Sequence, residues 1–178
     1  MLRKVFAVVF IAGVLLWSSA VPALAHGISA EARTCLKTDP VQFQGTIVDA
    51  AVATADFSTL VGALQAAGLV SALQGPGPFT VFAPTNAAFG KIPAPLLQAI
   101  VGDTQLLTGV LTYHVVPMGT RPRRSSRAKE VDSLQGQSLF LSVYEDGGRV
   151  NQSNIACQAV KATNGTIYVI DSVLLPQF

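Results

Sequence analysis

The chain has 178 residues with a formal net charge of +2, and 12% of its residues are charged. Arg3 and Lys4 account for that net charge, because removing them from the twelve Lys and Arg leaves ten against ten Asp and Glu. The rest of the chain is therefore electrically balanced, so its net charge gives no reason to expect a nucleic-acid partner. Its length suits one domain with a substantial core.

The N-terminus has the three parts of a secretory signal peptide. Arg3 and Lys4 form a positive start, residues 5–17 form an apolar run, and Ala23-Leu24-Ala25 offers small residues for cleavage. A retained membrane anchor is the alternative, but this run is shorter than the roughly 20 residues that span a bilayer. We predict a signal peptide over residues 1–25 and a secreted mature chain in the medium, cell wall or periplasm.

Cys35 and Cys157 are the two cysteines of the chain. In an oxidising compartment an isolated pair is usually bridged, so we predict a disulfide between them. Two separate thiols or a metal site are the alternatives, although two cysteines without flanking Cys or His make a poor zinc site.

Helix signals fill the first half of the exported chain, after a polar lead-in over residues 26–45. Thr46 and Asp49 have the spacing of a capping box, and Asp56 is a second candidate cap. Gly68 is expected to end the helix that follows. The apolar residues of that helix recur at helical spacing; they are Phe57, Leu60, Val61 and Leu64.

Residues 79–82 predict a short strand that Pro84 stops. Thr85 then caps a small helix, and Asn86 is expected to bond nearby backbone. Asp103 has the position of a cap for a later helix that runs into residues 113–117.

The second half of the chain changes from helical to alternating periodicity. Leu139 and Leu141 alternate with polar neighbours, and Gly147-Gly148 and Asn164-Gly165 are hairpin-turn signals. Residues 166–175 predict a final strand. Helices first and hairpins later indicate an α+β domain.

Few residues of the chain have the type and spacing of a catalytic site. His26 lies at the predicted mature N-terminus, and His114 stands without a nucleophile or carboxylate arranged around it. We expect His114 to be a structural residue that hydrogen-bonds backbone. The sequence therefore predicts no enzyme, no metal and no cofactor.

Residues 121–129 form a basic segment that holds half of the positive charge of the mature chain. Such a segment on an acidic body can bind an anionic polymer or an acidic lipid surface. A solvated loop that serves solubility is the alternative, because no aromatic residues are interleaved. The cations are Arg121, Arg123, Arg124, Arg127 and Lys129.

Three stretches in register closely resemble the fasciclin (FAS1) domain family. They are residues 79–89 (FTVFAPTNAAF), 111–116 (LTYHVV) and 164–176 (NGTIYVIDSVLLP). They match the first conserved block, the central Tyr-His element and the second conserved block of that family. With a signal peptide and one cysteine pair, the chain is similar to the small single-domain secreted members of bacteria, notably mycobacterial antigens.

The resemblance implies a single fasciclin domain over residues 46–178, with N-terminal helices packed on a mostly antiparallel β-sheet wedge. It also implies a role in cell adhesion or protein–protein contact, with protein or cell-surface partners. In some animal members the Tyr-His element is implicated in integrin binding; here Tyr113, His114, Val115 and Val116 match it. A carrier of a small apolar ligand or lipid is the alternative function, which a ligand-sized cavity would favour.

Overall fold

The computed structural model describes residues 39–122, 127–144 and 147–177, except for the side chain of Cys157. Six α-helices lie in the first half of this described part, with a 3₁₀ turn at Ala55–Phe57 between the first two. The helices are α1 (Ile47–Val52), α2 (Ser58–Ala66), α3 (Val70–Gln74), α4 (Asn86–Gly90), α5 (Ala94–Gly102) and α6 (Thr104–Tyr113).

Eight strands form one sheet in the described part of the chain. They are β1 (Val41–Gln42), β2 (Phe79–Pro84), β3 (Val115–Val116), β4 (Lys129–Asp132), β5 (Ser138–Tyr144), β6 (Gly147–Val150), β7 (Ser153–Ala162) and β8 (Gly165–Ile170).

The sheet is mostly antiparallel, in the order β3-β2-β8-β7-β6-β5-β4. Consecutive antiparallel pairs connect β4 through β8, whereas β2 pairs in parallel with β8 and β1 pairs in parallel with β7. The predicted α+β class, with helices on a mostly antiparallel sheet, is confirmed.

Side-chain caps set three of the six helix starts in the described part of the chain. Thr46 and Asp49 form the predicted capping box of α1, since each side chain bonds the backbone N–H of the other. Thr85 and Asp103 cap α4 and α6 as predicted. The prediction for Asp56 is wrong, because it lies in the 3₁₀ turn and α2 begins at Ser58 without a side-chain cap from its own N-cap residue.

Two clusters of buried side chains make up the core of the described residues. The larger lies between the helices and the sheet and includes Phe57 and Leu107, and the smaller lies at the hairpin end and includes Phe82. Leu139 and Leu141 point into the smaller cluster, as the alternating pattern predicts. Each large apolar side chain buried in this way contributes about 1.5–3 kcal/mol.

The final strand is shorter than residues 166–175, because β8 ends at Ile170. Asp171 turns the chain there by accepting hydrogen bonds from the backbone and side chain of Asn154 at 3.0 Å each. The segment after Asp171 then crosses to the end of α6, which positions it beside the residues described next.

Candidate functional site

The predicted Tyr-His element lies where α6 meets the sheet. Tyr113 is the last residue of α6, His114 is its C-cap, and Val115 and Val116 form β3 beside β2. All four side chains are buried, with at most 5% exposure. A partner can therefore reach this element only through a neighbouring concavity.

His114 uses both ring nitrogens to bind backbone. Nδ1 lies 2.7 Å from the carbonyl oxygen of Val110 and Nε2 accepts a bond of 2.9 Å from the N–H of Leu174, so the proton sits on Nδ1. Burial lowers the pKa of His114 to about 4, although the bond to Val110 opposes this shift. The expected structural role is confirmed, and the imidazole is neutral at physiological pH.

Tyr113 points the other way, toward the hairpins. Its hydroxyl lies 3.2 Å from the carbonyl oxygen of Ser138 and accepts a bond of 3.0 Å from Nδ2 of Asn151. Asn151 also accepts the N–H of Phe140 at 2.9 Å, and it adopts a left-handed φ of 50° that asparagine tolerates better than most residues. Nothing in the sequence pattern signals this role of Asn151.

An open groove of about 860 Å³ lies beside Tyr113, between β5 and the C-terminal segment. Phe140 and Leu175 line it and are 48% and 43% exposed. Glu130 is the charged residue among the described residues that line it. The groove thus combines exposed apolar side chains with polar walls.

A second concavity, which we call the helical cavity, has a volume of about 230 Å³ and lies among α2, α5 and α6. Of the described side chains that line it, only those of Thr59 and His114 carry polar atoms. The lining residues are Thr59, Gly62, Ala63, Ala66, Pro84, Phe89, Ile92, Leu97, Ile100, Val101, Leu107, Val110, Leu111, His114 and Val173. Because the nitrogens of His114 are engaged with backbone, this wall is essentially hydrocarbon.

The basic segment is described only at its ends. Arg121 and Arg127 are exposed, whereas Arg123 and Arg124 lie outside the described residues. Pro122 packs close to Gly148 of β6, where a Cβ would lie 3.6 Å from its ring. The segment thus begins against the sheet, and its contact with an anionic partner stays a prediction.

The cysteine pair also lies partly outside the described residues, since Cys35 precedes them. Cys157 belongs to β7. Val41 of β1 pairs with Val160 of β7 in parallel, so the chain that follows Cys35 reaches the strand that contains Cys157. The disulfide stays a prediction that this pairing supports.

Within the described ranges, no group of three or more His, Cys, Asp or Glu could hold a metal ion. None of the helices in those ranges has the length and hydropathy of a membrane span.

The sequence pattern of the Fasciclin domain family matches residues 55–176. The chain therefore belongs to this family, as the three sequence blocks predict. Its fold is also similar to part of a solved structure, a FAS1 domain pair from the insect cell adhesion molecule Fasciclin I, with a TM-score of 0.61. The likeness covers 74% of this chain and 51% of that one at 18% identity.

Bacterial relatives are more similar in sequence. Protein sll1483 of Synechocystis is 44% identical over 133 residues, which cover 74% of this chain and 73% of the relative. Immunogenic protein MPB70 of Mycobacterium bovis is 36% identical over 148 residues, covering 78% and 75%. The cell surface glycolipoprotein MPB83 of the same species is 38% identical over 138 residues, covering 75% and 61%.

Proposed function

We propose that the domain acts outside the cytoplasm as a non-enzymatic module for adhesion or protein–protein contact. The observation that carries this proposal is the open groove beside Tyr113, with Phe140 and Leu175 exposed at its wall. Family membership supports it, since one relative is a cell surface protein and one structural neighbour is a cell adhesion molecule.

The chemistry of the groove suggests the kind of partner. An aromatic and an aliphatic side chain that stay half exposed favour a partner with apolar residues. Glu130 adds a negative charge to the same wall, so a basic residue of the partner would be attracted there. We propose that the partner binds through a protein segment in which a cationic residue lies next to apolar residues.

The state of His114 supports a non-enzymatic role. A buried histidine with a shifted pKa beside a cavity is a usual candidate for acid–base catalysis. Here the Nδ1–H donates to the carbonyl of Val110 and the lone pair of Nε2 accepts the N–H of Leu174, so neither is available to a substrate. His114 therefore holds the fold together instead of reacting.

The test is binding of the purified mature domain to intact surfaces of producer and host cells, measured by flow cytometry. A Phe140→Ala/Leu175→Ala variant should lose about tenfold or more in affinity, as truncation of interface anchors does. Val52→Ala is the matched control, because Val52 is 62% exposed on α1 and does not line the groove. Equal binding by all three proteins would refute the role of the groove.

The basic segment is a separate proposed contact, with an anionic polymer or acidic lipid. Neutralising Arg121, Arg123, Arg124 and Arg127 to Gln should lower the salt concentration at which the domain leaves a heparin column. Unchanged elution would contradict anion binding by the basic segment and would support a role in solubility.

Carriage of a small apolar ligand is the second candidate function. The helical cavity is the specific observation that favours it, because ligand sites are concave and mostly apolar. The two functions would use different concavities that share Val173 in their linings: the groove lies on the hairpin side of Tyr113, whereas His114 borders the cavity.

A further inference from the structure

We infer that the helical cavity binds the hydrocarbon chain of an uncharged lipid-like molecule, which enters between α2 and α5. This inference rests on the proposed carrier function and specifies its ligand. It depends on the volume of the cavity, the chemistry of its wall, the position of its mouth and the charge around that mouth.

The volume fits a ligand larger than one six-membered ring. An apolar cavity of roughly 150 Å³ stays dry and binds benzene, whereas this one has about 230 Å³. Water is not stabilised in the cavity, because a buried water molecule needs hydrogen bonds to two or more polar partners. A flexible alkyl chain can fill such a space by folding to its shape.

Apart from the exposed Thr59, the wall offers no side-chain partner for a polar group. The carbonyl oxygen of Val110 and the N–H of Leu174 occupy the two nitrogens of His114. A hydroxyl or carboxyl group placed beside the imidazole would lose its hydrogen bonds to water without replacement. Only hydrocarbon is therefore expected to lie inside the cavity.

The mouth lies where lining residues are exposed. Gly62 and Ala66 of α2 are exposed on one side, and Val101 of α5 is 58% exposed on the other. A Cβ added at Gly62 would meet nothing within 4 Å. The small residues of α2 thus leave open space at the mouth, where we expect a chain to enter with its polar end outside.

The surroundings of the mouth argue for an uncharged polar end. Between Asp56 and Arg121 the only charged residues are Lys91 and Asp103. The ammonium group of Lys91 lies 3.6 Å from the carboxylate of Asp171 and donates to its backbone carbonyl at 2.6 Å.

Asp103 is also engaged, because its carboxylate caps α6 through the N–H groups of Gln105 and Leu106. An anionic headgroup would have to displace Asp171 from Lys91, the cation next to the lining residue Ile92. An alcohol or ester group carries no charge and needs no counter-charge, so the surroundings of the mouth favour neutral ligands.

The experiment is an amide-resolved NMR titration of the mature domain with 1-decanol and, in parallel, with decanoate. Decanol should shift amide signals of α2, α5 and α6 in a saturable way. The affinity for decanoate should be lower by about tenfold or more. Gly62→Leu places a side chain in the mouth and should abolish these shifts. Ala72→Leu is the matched control, because Ala72 is exposed on α3 and does not line the cavity.

The outcomes separate the inference from the function on which it rests. Decanoate binding as tightly as decanol would overturn the preference for a neutral ligand but keep the carrier function. Saturable binding that survives Gly62→Leu would place the site elsewhere and overturn the inference. Absence of binding by both compounds would refute the inference and the carrier function together. If Gly62→Leu does not fold, Ala66→Leu tests the same mouth.

Discussion

His114 and Leu174 are joined by a hydrogen bond of 2.9 Å, in which the backbone N–H of Leu174 donates to Nε2 of the imidazole. The bond connects the end of α6 with the segment after β8, sixty residues later in the chain. Because the acceptor is a nitrogen lone pair, the bond exists only while the imidazole is neutral. Protonation of His114 would both break this bond and bury a charge.

Stability should therefore fall as the pH falls below neutrality. The pKa of His114 is about 4 in the folded domain, whereas an unfolded histidine titrates near 6.5. The unfolded state binds more protons between these values, so stability is present above pH 6.5 and decreases toward pH 4. We expect a loss of about 3 kcal/mol over this window, measured by urea unfolding at a series of pH values.

A His114→Gln variant isolates this contribution. It should be less stable than the parent at pH 7, and its free energy of unfolding should change little between pH 6.5 and 5. An equally steep decrease in the variant would show that another group carries the pH dependence.

Asp171 should be a second stabilising residue, at the end of β8. Burial raises its pKa, but hydrogen bonds from Asn154, Ser153 and Ser172 outweigh that effect and hold the pKa at about 2. Asp171→Ala should cost about 1–3 kcal/mol, because it removes several charge-assisted hydrogen bonds. Stability from Asp171 is present above the unfolded pKa of about 3.9 and should be lost as the pH falls from there through about 2.

Asp56→Ala is the control for that measurement. Asp56 is exposed and does not cap α2, so its removal should change stability by less than about 0.5 kcal/mol. Equal effects of the two substitutions would contradict the role assigned to Asp171.

Two glycine substitutions should change the stability of the domain in opposite directions. Gly62 is helical and has open space where a side chain would lie, so Gly62→Ala should stabilise the domain by about 1 kcal/mol. In Gly165→Ala the new Cβ would lie 2.6 Å from the carbonyl oxygen of Phe79, which is backbone of the paired strand. Chemical denaturation should show that second variant to be destabilised, and a neutral result would mean that β2 and β8 can separate.

The sequence predicts local structure here better than it predicts connections. Thr46, Thr85 and Asp103 act on backbone within a few residues, so their spacing is visible in the chain. Asn86 also has cap chemistry, but its side chain bonds the N–H of Thr59 and the carbonyl of Ala55, about thirty residues away. The expectation that Asn86 bonds nearby backbone is therefore wrong.

The helical cavity could not be predicted for a related reason. It is a gap left by the packing of α2 against its neighbours, and no residue type marks a gap. The pattern identifies apolar faces such as Leu107 and Leu111, but not whether the opposing face fills the space between them. The three family blocks, in contrast, identified the fold because their order and spacing are specific.

Asn164 provides a test of these long-range connections. Its Oδ1 accepts the N–H of Ile47 at 2.9 Å, and its Nδ2 donates to the carbonyls of Leu73 and Gly75 at 2.9 and 2.8 Å. Asn164→Ala should cost about 2–4 kcal/mol, because it leaves groups of α1 and α3 unsatisfied.

Asn164→Asp keeps the acceptor and loses the donor, so its loss of stability should lie between those of the parent and the alanine variant. Thermal unfolding of the three proteins measures the order. An alanine variant as stable as the parent would show that water replaces the amide.

The predicted Cys35–Cys157 disulfide can be tested on the secreted protein. Cys35 lies six residues before Val41, whose partner Val160 lies three residues after Cys157. Six residues of chain span at most about 20 Å, so the segment between Cys35 and Val41 is long enough to allow the two cysteines to meet.

A bridge that closes so long a loop should stabilise the domain by up to about 4–5 kcal/mol in the chain-entropy model. Intact mass after alkylation without reductant should show no alkylated thiol, and two alkylated thiols after reduction and unfolding. A Cys35→Ser/Cys157→Ser variant should unfold at a lower temperature than the oxidised parent, and should match the reduced parent. Two thiols that react before reduction would refute the bridge, and the parallel pairing of β1 with β7 would then hold the N-terminal segment without it.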